Sequence, residues 1–536
     1  MSAAPIDPQR RRLLRAGVGG ALAAGVAMTV PRAIAGPRGT TSPIARVHGG
    51  RVAGQTAQGI HVFRGIPYGA DTAPRRFQRA LPPLPWRGVR EALRYGPSAP
   101  QAGGDGPGSE DCLYLNVWTP ALRDGGKRPV LVYIHGGAYS SGSGSDPLYD
   151  GSALSRRGDV VVVTLNHRLN LFGYLHLARF GGEALADAGN VGQLDLVQAL
   201  QWVRRHAAEF GGDAGNVTVF GQSGGGAKIA TLMAMPEANG LFHRAWTMSG
   251  QQVTAAGPRA ASQRAQLVLD HLRVDADALR RLPMEKLLEA LAIRDPSRME
   301  STRLYLGPVL DGRHLPAHPF WPQAPAQSAG VPMVIGNTHD ETRAFLGHDP
   351  TNFSLDWDEL PARLDAQQYV DLSPEVVIDT YRRLYPGYTA SEVFFAATTA
   401  GRSWRGAIEE LEARARQGAP AWAYQLDWYD RHGEAAPLRA FHTLDIPLVF
   451  HNIHQRGART GTGESATRMA DTMSDALLAF ARHGNPNHAG LPPWQPYTLA
   501  RRQTLLFDTP SRQADDPRGG ERQLYAQVPF IQRGTF

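Results

Sequence analysis

Asn216-Val217-Thr218-Val219-Phe220-Gly221-Gln222-Ser223-Gly224-Gly225 is the stretch on which the reading of this chain turns. Its first five residues are rich in β-branched and aromatic side chains, as in a short buried strand. Residues 224–235 read as a helix closed by Pro236. Ser223 falls at the joint, in the one G-x-S-x-G of the sequence. A serine on a sharp strand-to-helix turn is exposed and lies at the positive end of the helix. The glycines beside it leave room that a larger side chain would fill. This is how a nucleophile for acyl transfer is presented. A plain glycine-rich turn can carry the same letters, and the chain has 59 Gly, so the surroundings must decide.

Working outward, short apolar runs at 130–134, 160–165, 217–220 and 331–335 read as strands. Helical patterns lie between and beyond them, as at 195–208 and 469–482. Such alternation predicts a largely parallel sheet with helices on both faces. No linker, long charge block or internal repeat interrupts residues 36–536. The expectation is one large α/β catalytic domain with mainly helical insertions near 255–325 and 354–416.

Acyl transfer also needs donors for an oxyanion, a base, and a group that orients the base. Gly136 and Gly137 follow the strand ending at Ile134, where their N–H groups can converge with that of Gly224. The base should be a histidine far downstream, preceded by an acid. Among 18 His, His442 lies beside an apolar segment, with His451 and His454 as rivals. The acid is Glu341 or its neighbour Asp340, just after the strand ending at Ile335. No zinc spacing such as H-E-x-x-H occurs, and neither metal nor organic cofactor is expected.

The N-terminus reads as an export signal. Arg10-Arg11-Arg12-Leu13-Leu14 precedes an uncharged run at 16–30, and Ala33-Ile34-Ala35 offers a small-residue cleavage site. The paired arginines point to a twin-arginine signal over 1–35, hence to a periplasmic or secreted protein of bacterial type. The run is too short for a membrane span, which needs about 20 apolar residues. The chain carries 56 basic and 49 acidic side chains, net +7. Residues 1–35 hold five Arg and one Asp, a net +4, which leaves +3 for the remainder. That bias is too small to argue for nucleic acid. Cys112 is the lone cysteine, so no internal disulfide can form, and its apolar neighbours predict a core position.

In this order, these pieces resemble the type-B carboxylesterases, a group that holds bacterial para-nitrobenzyl esterases, liver carboxylesterases and cholinesterases. The likeness spans nearly all of 36–536. Its most specific part is Glu110-Asp111-Cys112-Leu113-Tyr114-Leu115-Asn116-Val117. Phe63 to Tyr68, Asn166-His167-Arg168-Leu169 and Asn190-Val191-Gly192-Gln193-Leu194-Asp195 add to it. The resemblance implies an α/β-hydrolase fold whose insertions form a gorge over the active site. It also implies a Ser223-Glu341-His442 triad and an oxyanion hole of Gly136, Gly137 and Gly224. It selects Glu341 over Asp340 and His442 over His451. It further implies an Arg76–Glu110 ion pair and places Ser249 beside the histidine.

Four departures narrow the expectation. Gln222 stands where the family usually has Glu, Gly224 where it often has Ala, and Cys112 lacks its usual disulfide partner. The loop 101–109 has no aromatic residue, so the tryptophan that draws quaternary ammonium in cholinesterases is missing. The reading is therefore a serine hydrolase of small to medium carboxylic esters, monomeric or homodimeric, with a small-molecule ester as its partner. The rivals are a narrow-specificity acyl hydrolase (an amidase, a lactonase, or an esterase of one xenobiotic or natural product) and a non-catalytic cholinesterase-like binding protein. Trp321, Phe320 and Trp404 are candidate gorge aromatics, with burial as structural residues the competing role.

Overall fold

Val130, Val132 and Ile134 enter one hydrophobic core, while Leu131 and Tyr133, between them in sequence, enter another. A strand apolar on both faces requires cover on both faces, and it is this that builds a three-layer molecule. The computed structural model describes residues 42–103, 108–296 and 303–532. In chain order the strands are β1 (Ile44–Val47), β2 (Gly50–Ala53), β3 (Gln55–Ala57), β4 (Ile60–Pro67), β5 (Val89–Glu91), β6 (Tyr114–Thr119) and β7 (Arg128–Ile134). They continue with β8 (Val161–Leu165), β9 (Gly212–Gln222), β10 (Arg244–Met248), β11 (Met333–Thr338), β12 (Ala421–Leu426), β13 (Gln503–Phe507) and β14 (Arg512–Asp515).

The main sheet runs β14-β13-β12-β11-β10-β9-β7-β8-β6-β4-β3. Its middle, from β13 to β8, is parallel. Antiparallel pairs close both edges. Strands β1, β2 and β5 form a second, small sheet. One face of the main sheet packs Leu194, Val197 and Leu200 of helix Val191–His206, Ile229 and Leu232 of helix Gly224–Leu232, and Leu411 of helix Arg405–Gln417. The other packs Met469, Met473, Leu477 and Phe480 of helix Glu464–His483 against Phe220, Trp246 and Val334. The α/β-hydrolase architecture expected from the sequence is thus present.

Two expectations shift. The strand expected at 331–335 is β11 instead, Met333–Thr338. Pro332 has no N–H to give the ladder, and only its carbonyl takes part, accepting from Ala245 N at 3.1 Å. The insertion at 255–325 is helical only in its first half, over Pro258–Leu272, Ala276–Leu279 and Met284–Glu289. Residues 303–325 form no helix. Pro308, Pro316, Pro319, Pro322 and Pro325 interrupt them too often. The second insertion is helical, through Leu360–Gln367, Pro374–Leu384 and Ala390–Thr399.

Ion pairs clamp the layers. Arg168 and Asp195, from two of the sequence motifs, meet in a fully buried bidentate pair at 2.8 and 2.7 Å. Arg76 and Glu110 form a second pair, with Arg76 Nε at 2.8 Å from the carboxylate. The same guanidinium donates to the carbonyls of Leu282 (2.6 Å) and Arg280 (3.1 Å), tying the first insertion to the sheet. Cys112 is buried. Among the described residues no helix is long and apolar enough to cross a membrane. Residues 1–35, expected from the sequence to be an export signal, lie outside the described residues, as do 104–107 of the loop 101–109.

Candidate active site

Parallel strands bring their carboxyl ends to one edge of the sheet, and ligand sites of open α/β sheets form there. Four strands deliver the singled-out residues to that edge: β7 leads to Gly136 and Gly137, β9 to Ser223, β10 to Ser249, and β11 to Glu341. His442 arrives from the loop between β12 and helix Asp445–Val449.

Ser223 has φ 55° and ψ −127°, a conformation that costs a non-glycine residue about 1–3 kcal/mol. Two contacts enforce it. Its N–H donates to Met248 O at 2.7 Å, and its carbonyl accepts from Ala227 N at 3.2 Å. The helix after it presses on β7 so closely that a Cβ on Gly225 would stand 1.9 Å from Ile134 O. The sequence uses glycine there for approach of backbone to backbone.

Gly136 abuts the serine turn, since a Cβ on it would lie 3.3 Å from Ser223 Cβ. Gly137 has φ 81°, and a Cβ there would strike Ser141 O at 2.3 Å. Neither N–H donates to a protein acceptor among the described residues. Gln101 braces the loop beyond, accepting from Gly142 N at 2.7 Å and donating to Gly142 O at 3.0 Å. Beneath it, Lys228 Nζ donates to His135 O at 3.0 Å. Burial pushes that lysine down to about 7. Burial and the lysine charge push the His135 imidazole down to about 3, so the ring is neutral.

His442 Nδ1 meets Glu341 Oε2 in a short hydrogen bond. The other carboxylate oxygen accepts from Thr338 N at 3.0 Å. Burial pushes the Glu341 carboxyl up, but the charge and hydrogen bond of His442 outweigh it and hold the group below its ordinary value. The Ser249 hydroxyl pulls the same way more weakly, without reaching hydrogen-bond geometry. Gln222 Nε2 lies 3.1 Å from His442 Nε2, where an amide N–H can donate to the ring. The rivals sit elsewhere. Asp340 faces His339 (2.9 Å) and Arg343 (3.2 Å), His451 pairs with Asp471 at 2.9 Å, and His454 is exposed.

Ser223, His442, Gly136, Gly137, Gly224, Gln222 and Ser249 all line one cavity of about 450 Å³. That volume suits a small to medium ligand. Its aromatic walls are Tyr139, Tyr149, Tyr305 and Phe345. The aromatics picked from sequence do not line it: Trp321 is exposed, while Phe320 and Trp404 are buried in packing. Two further groups escaped the sequence reading. Asp445 is fully buried, and burial, with Glu341 next, pushes it up to about 7. It accepts from Tyr424 Oη at 3.0 Å. The Phe345 ring lies tilted against the His442 ring, with centroids 4.7 Å apart. Its spacing four residues after Glu341 was the available signal. No group of three or more His, Cys, Asp or Glu among the described residues could hold a metal ion.

A buried Glu–His couple beside a strained serine and two backbone donors is equipped for attack on a carbonyl and proton transfer to its leaving group. The comparisons agree with that chemistry. Residues 41–524 match the model of the carboxylesterase family. The chain is 37% identical to the para-nitrobenzyl esterase of Bacillus subtilis, over 90% of this chain and 98% of that protein. It is 33% identical to the phenmedipham hydrolase of Pseudarthrobacter oxydans, over 89% and 94%. The crystal structure of a Geobacillus stearothermophilus carboxylesterase at pH 6.2 matches with a TM-score of 0.79 and 40% identity, covering 90% of this chain and 99% of that one. The chain belongs to the carboxylesterase family and is a serine carboxylic ester hydrolase.

Proposed function

We propose that Ser223, His442 and Glu341 act together through an acyl-enzyme. His442 takes the proton of Ser223 as the hydroxyl attacks the ester carbonyl. Gly136, Gly137 and Gly224 donate to the oxyanion. One such donor contributes about 3 kcal/mol to the transition state. Glu341 fixes the ring with Nδ1 protonated and stabilises the imidazolium. His442 then returns the proton to the departing alcohol and activates the water that frees the acid. The observation that carries this reading is the His442–Glu341 bond, set in the cavity that the strained Ser223 also lines. Gln222 adjoins the His442 ring, and Ser249 lies near its partner Glu341.

The test is hydrolysis of para-nitrophenyl esters from acetate to palmitate by residues 36–536 and by Ser223→Ala. Turnover that falls with acyl length and vanishes in the variant is expected. Turnover that survives in Ser223→Ala would remove the serine from the mechanism.

We also propose that residues 1–35 are a twin-arginine export signal and that 36–536 form one domain, released to the periplasm or beyond. Support comes from the arginine pair, the uncharged run and the A-x-A site. Replacing Arg10 and Arg11 by Lys should hold the protein in the cytoplasm. Unchanged export would refute the signal.

A further inference from the structure

The planar peptide links each oxyanion donor to the carbonyl before it. Gly136 N–H shares its peptide with His135 O, Gly137 N–H with Gly136 O, and Gly224 N–H with Ser223 O. A hydrogen bond to the carbonyl draws charge through the amide and makes the N–H across from it a stronger donor. All three carbonyls hold such a bond. Ser223 O accepts from Ala227 N at 3.2 Å, as the helix dictates. Gly136 O accepts from His135 Nδ1 at 2.9 Å. His135 O accepts from Lys228 Nζ at 3.0 Å. Only the last of these bonds comes from an ammonium group, and charge-assisted bonds are roughly twice as strong as neutral ones.

The chain uses lysine three times, at 127, 228 and 286, and only Lys228 is buried. No carboxylate offsets it. Asp195, on the helix Val191–His206 that packs against its own, is committed to Arg168. The other groups that face it are His135 and His167, whose rings stack at 4.8 Å, and Tyr139, whose ring centre lies 5.7 Å from Nζ. Burial, and then the lysine charge, hold both imidazoles below their ordinary values. His135 Nδ1 faces a carbonyl and so carries the ring proton, while Nε2 has no partner among the described residues. An ammonium buried without a counter-charge is unfavourable, and a methionine would fill the same space without that cost. The position of the charge, on the carbonyl of an oxyanion-donor peptide, accounts for its retention.

We propose that Lys228 is a positioning residue for ester hydrolysis: through the His135–Gly136 peptide its ammonium holds the Gly136 N–H on the oxyanion and strengthens it as a donor. The proposal rests on the Ser223 acyl-enzyme reading. Lys228 does not line the cavity and touches no reacting atom. Its effect is confined to the transition state, where the carbonyl oxygen is negative, and so belongs to kcat rather than KM.

The experiment uses residues 36–536 with Lys228→Met, which keeps the stem and removes the charge, and Lys228→Gln, which offers a neutral N–H donor. The substrate is para-nitrophenyl butyrate. Two inhibitors accompany it: a trifluoromethyl ketone of the same chain length, whose hemiketal on Ser223 mimics the oxyanion, and the corresponding methyl ketone, which remains a neutral carbonyl. Lys228→Met should lower kcat about 10-fold at unchanged KM, less than the roughly 10²–10³ for loss of a whole donor. Affinity for the trifluoromethyl ketone should fall by a similar factor, and affinity for the methyl ketone should not. Lys228→Gln should recover part of kcat. An unchanged kcat, or parallel losses against both ketones, would leave Lys228 as a structural prop of the loop and overturn the proposal. The unaltered enzyme supplies a readout that needs no variant to fold. Burial brings Lys228 down to about 7 and holds Tyr139 well above its ordinary value, so kcat should fall as pH rises above about 7 and the ammonium loses its proton. A kcat that stays level from about pH 7 to about pH 9 would overturn the proposal too. Ester turnover that survives in Ser223→Ala would instead condemn the underlying mechanism, whatever Lys228 does.

Discussion

At the scale of single residues, His442 is decided by its neighbours. Glu341 takes Nδ1, and the amide of Gln222 stands 3.1 Å from Nε2. The neutral amide of Gln222 adds no charge beside the ring. Gln222→Glu would put a second carboxylate beside the ring and favour the imidazolium. Catalysis needs the neutral base, so the acid limb of the kcat/KM profile should move to higher pH, by about 0.5–1 unit. A profile that stays put would mean the new carboxylate turns away from the ring. The serine and the glycine pair can be singled out from local pattern once the strands that lead to them are read with it. The histidine cannot. Three candidates within thirteen positions have the same local chemistry, and only a likeness to a family separated them. Phe345 and Arg402 meet across more than fifty residues of chain, a proximity that no local pattern encodes.

At the scale of elements, the turn between β9 and helix Gly224–Leu232 works because backbone replaces side chain in its packing. Gly225→Ala would drive a Cβ to 1.9 Å from Ile134 O, a rigid acceptor at the end of β7. The helix would have to lift off the strand that carries the oxyanion donors. Overpacking of this kind costs about 1–3 kcal/mol, and more where backbone must move. The expected outcome is a melting temperature lower by several degrees, with kcat reduced beyond what the stability loss explains. An unchanged kcat in the folded variant would show the two elements to be uncoupled. Strand existence was readable wherever alternating residues served two cores, as at 130–134. Strand ends were not, because Pro332 cuts β11 on one side while Gly336 to Thr338 extend it beyond the apolar run. The second half of the first insertion departs from the helical expectation because its prolines remove N–H donors and clash with the preceding turn.

Across the described residues of the molecule as a whole, many buried charges are paired, but Glu410, like Asp445 and Lys228, has no opposite charge beside it, and it sets a pH dependence. Glu410 is fully buried, with one oxygen bonded to Gln252 N and the other without a partner among the described residues. Its carboxyl is pushed up to about 8 in the folded state. Unfolded, it titrates near its ordinary value of about 4.3. Between these values the folded protein holds one proton more than the unfolded chain. Stability therefore falls as pH rises through this window, at up to about 1.4 kcal/mol per unit. Glu410→Gln keeps an acceptor for Gln252 and removes the titration. Its melting temperature should exceed that of the unaltered protein at about pH 9 and converge with it near pH 5. A constant gap between the two would assign the alkaline loss to another group.

Cys112 carries a last consequence. It is the lone sulfhydryl of 536 residues, and burial raises its pKa, so in the native state it is both shielded and protonated. A reductant finds no bond to break, and the melting temperature should be the same with and without one. A maleimide or a disulfide reagent finds no thiolate until the layers part. Each molecule thus holds a single chemical latch that records the moment of its own opening. The rate of labelling, followed as one mass increment per chain, should trace the opening of the β6 region that holds it, free of any inserted probe.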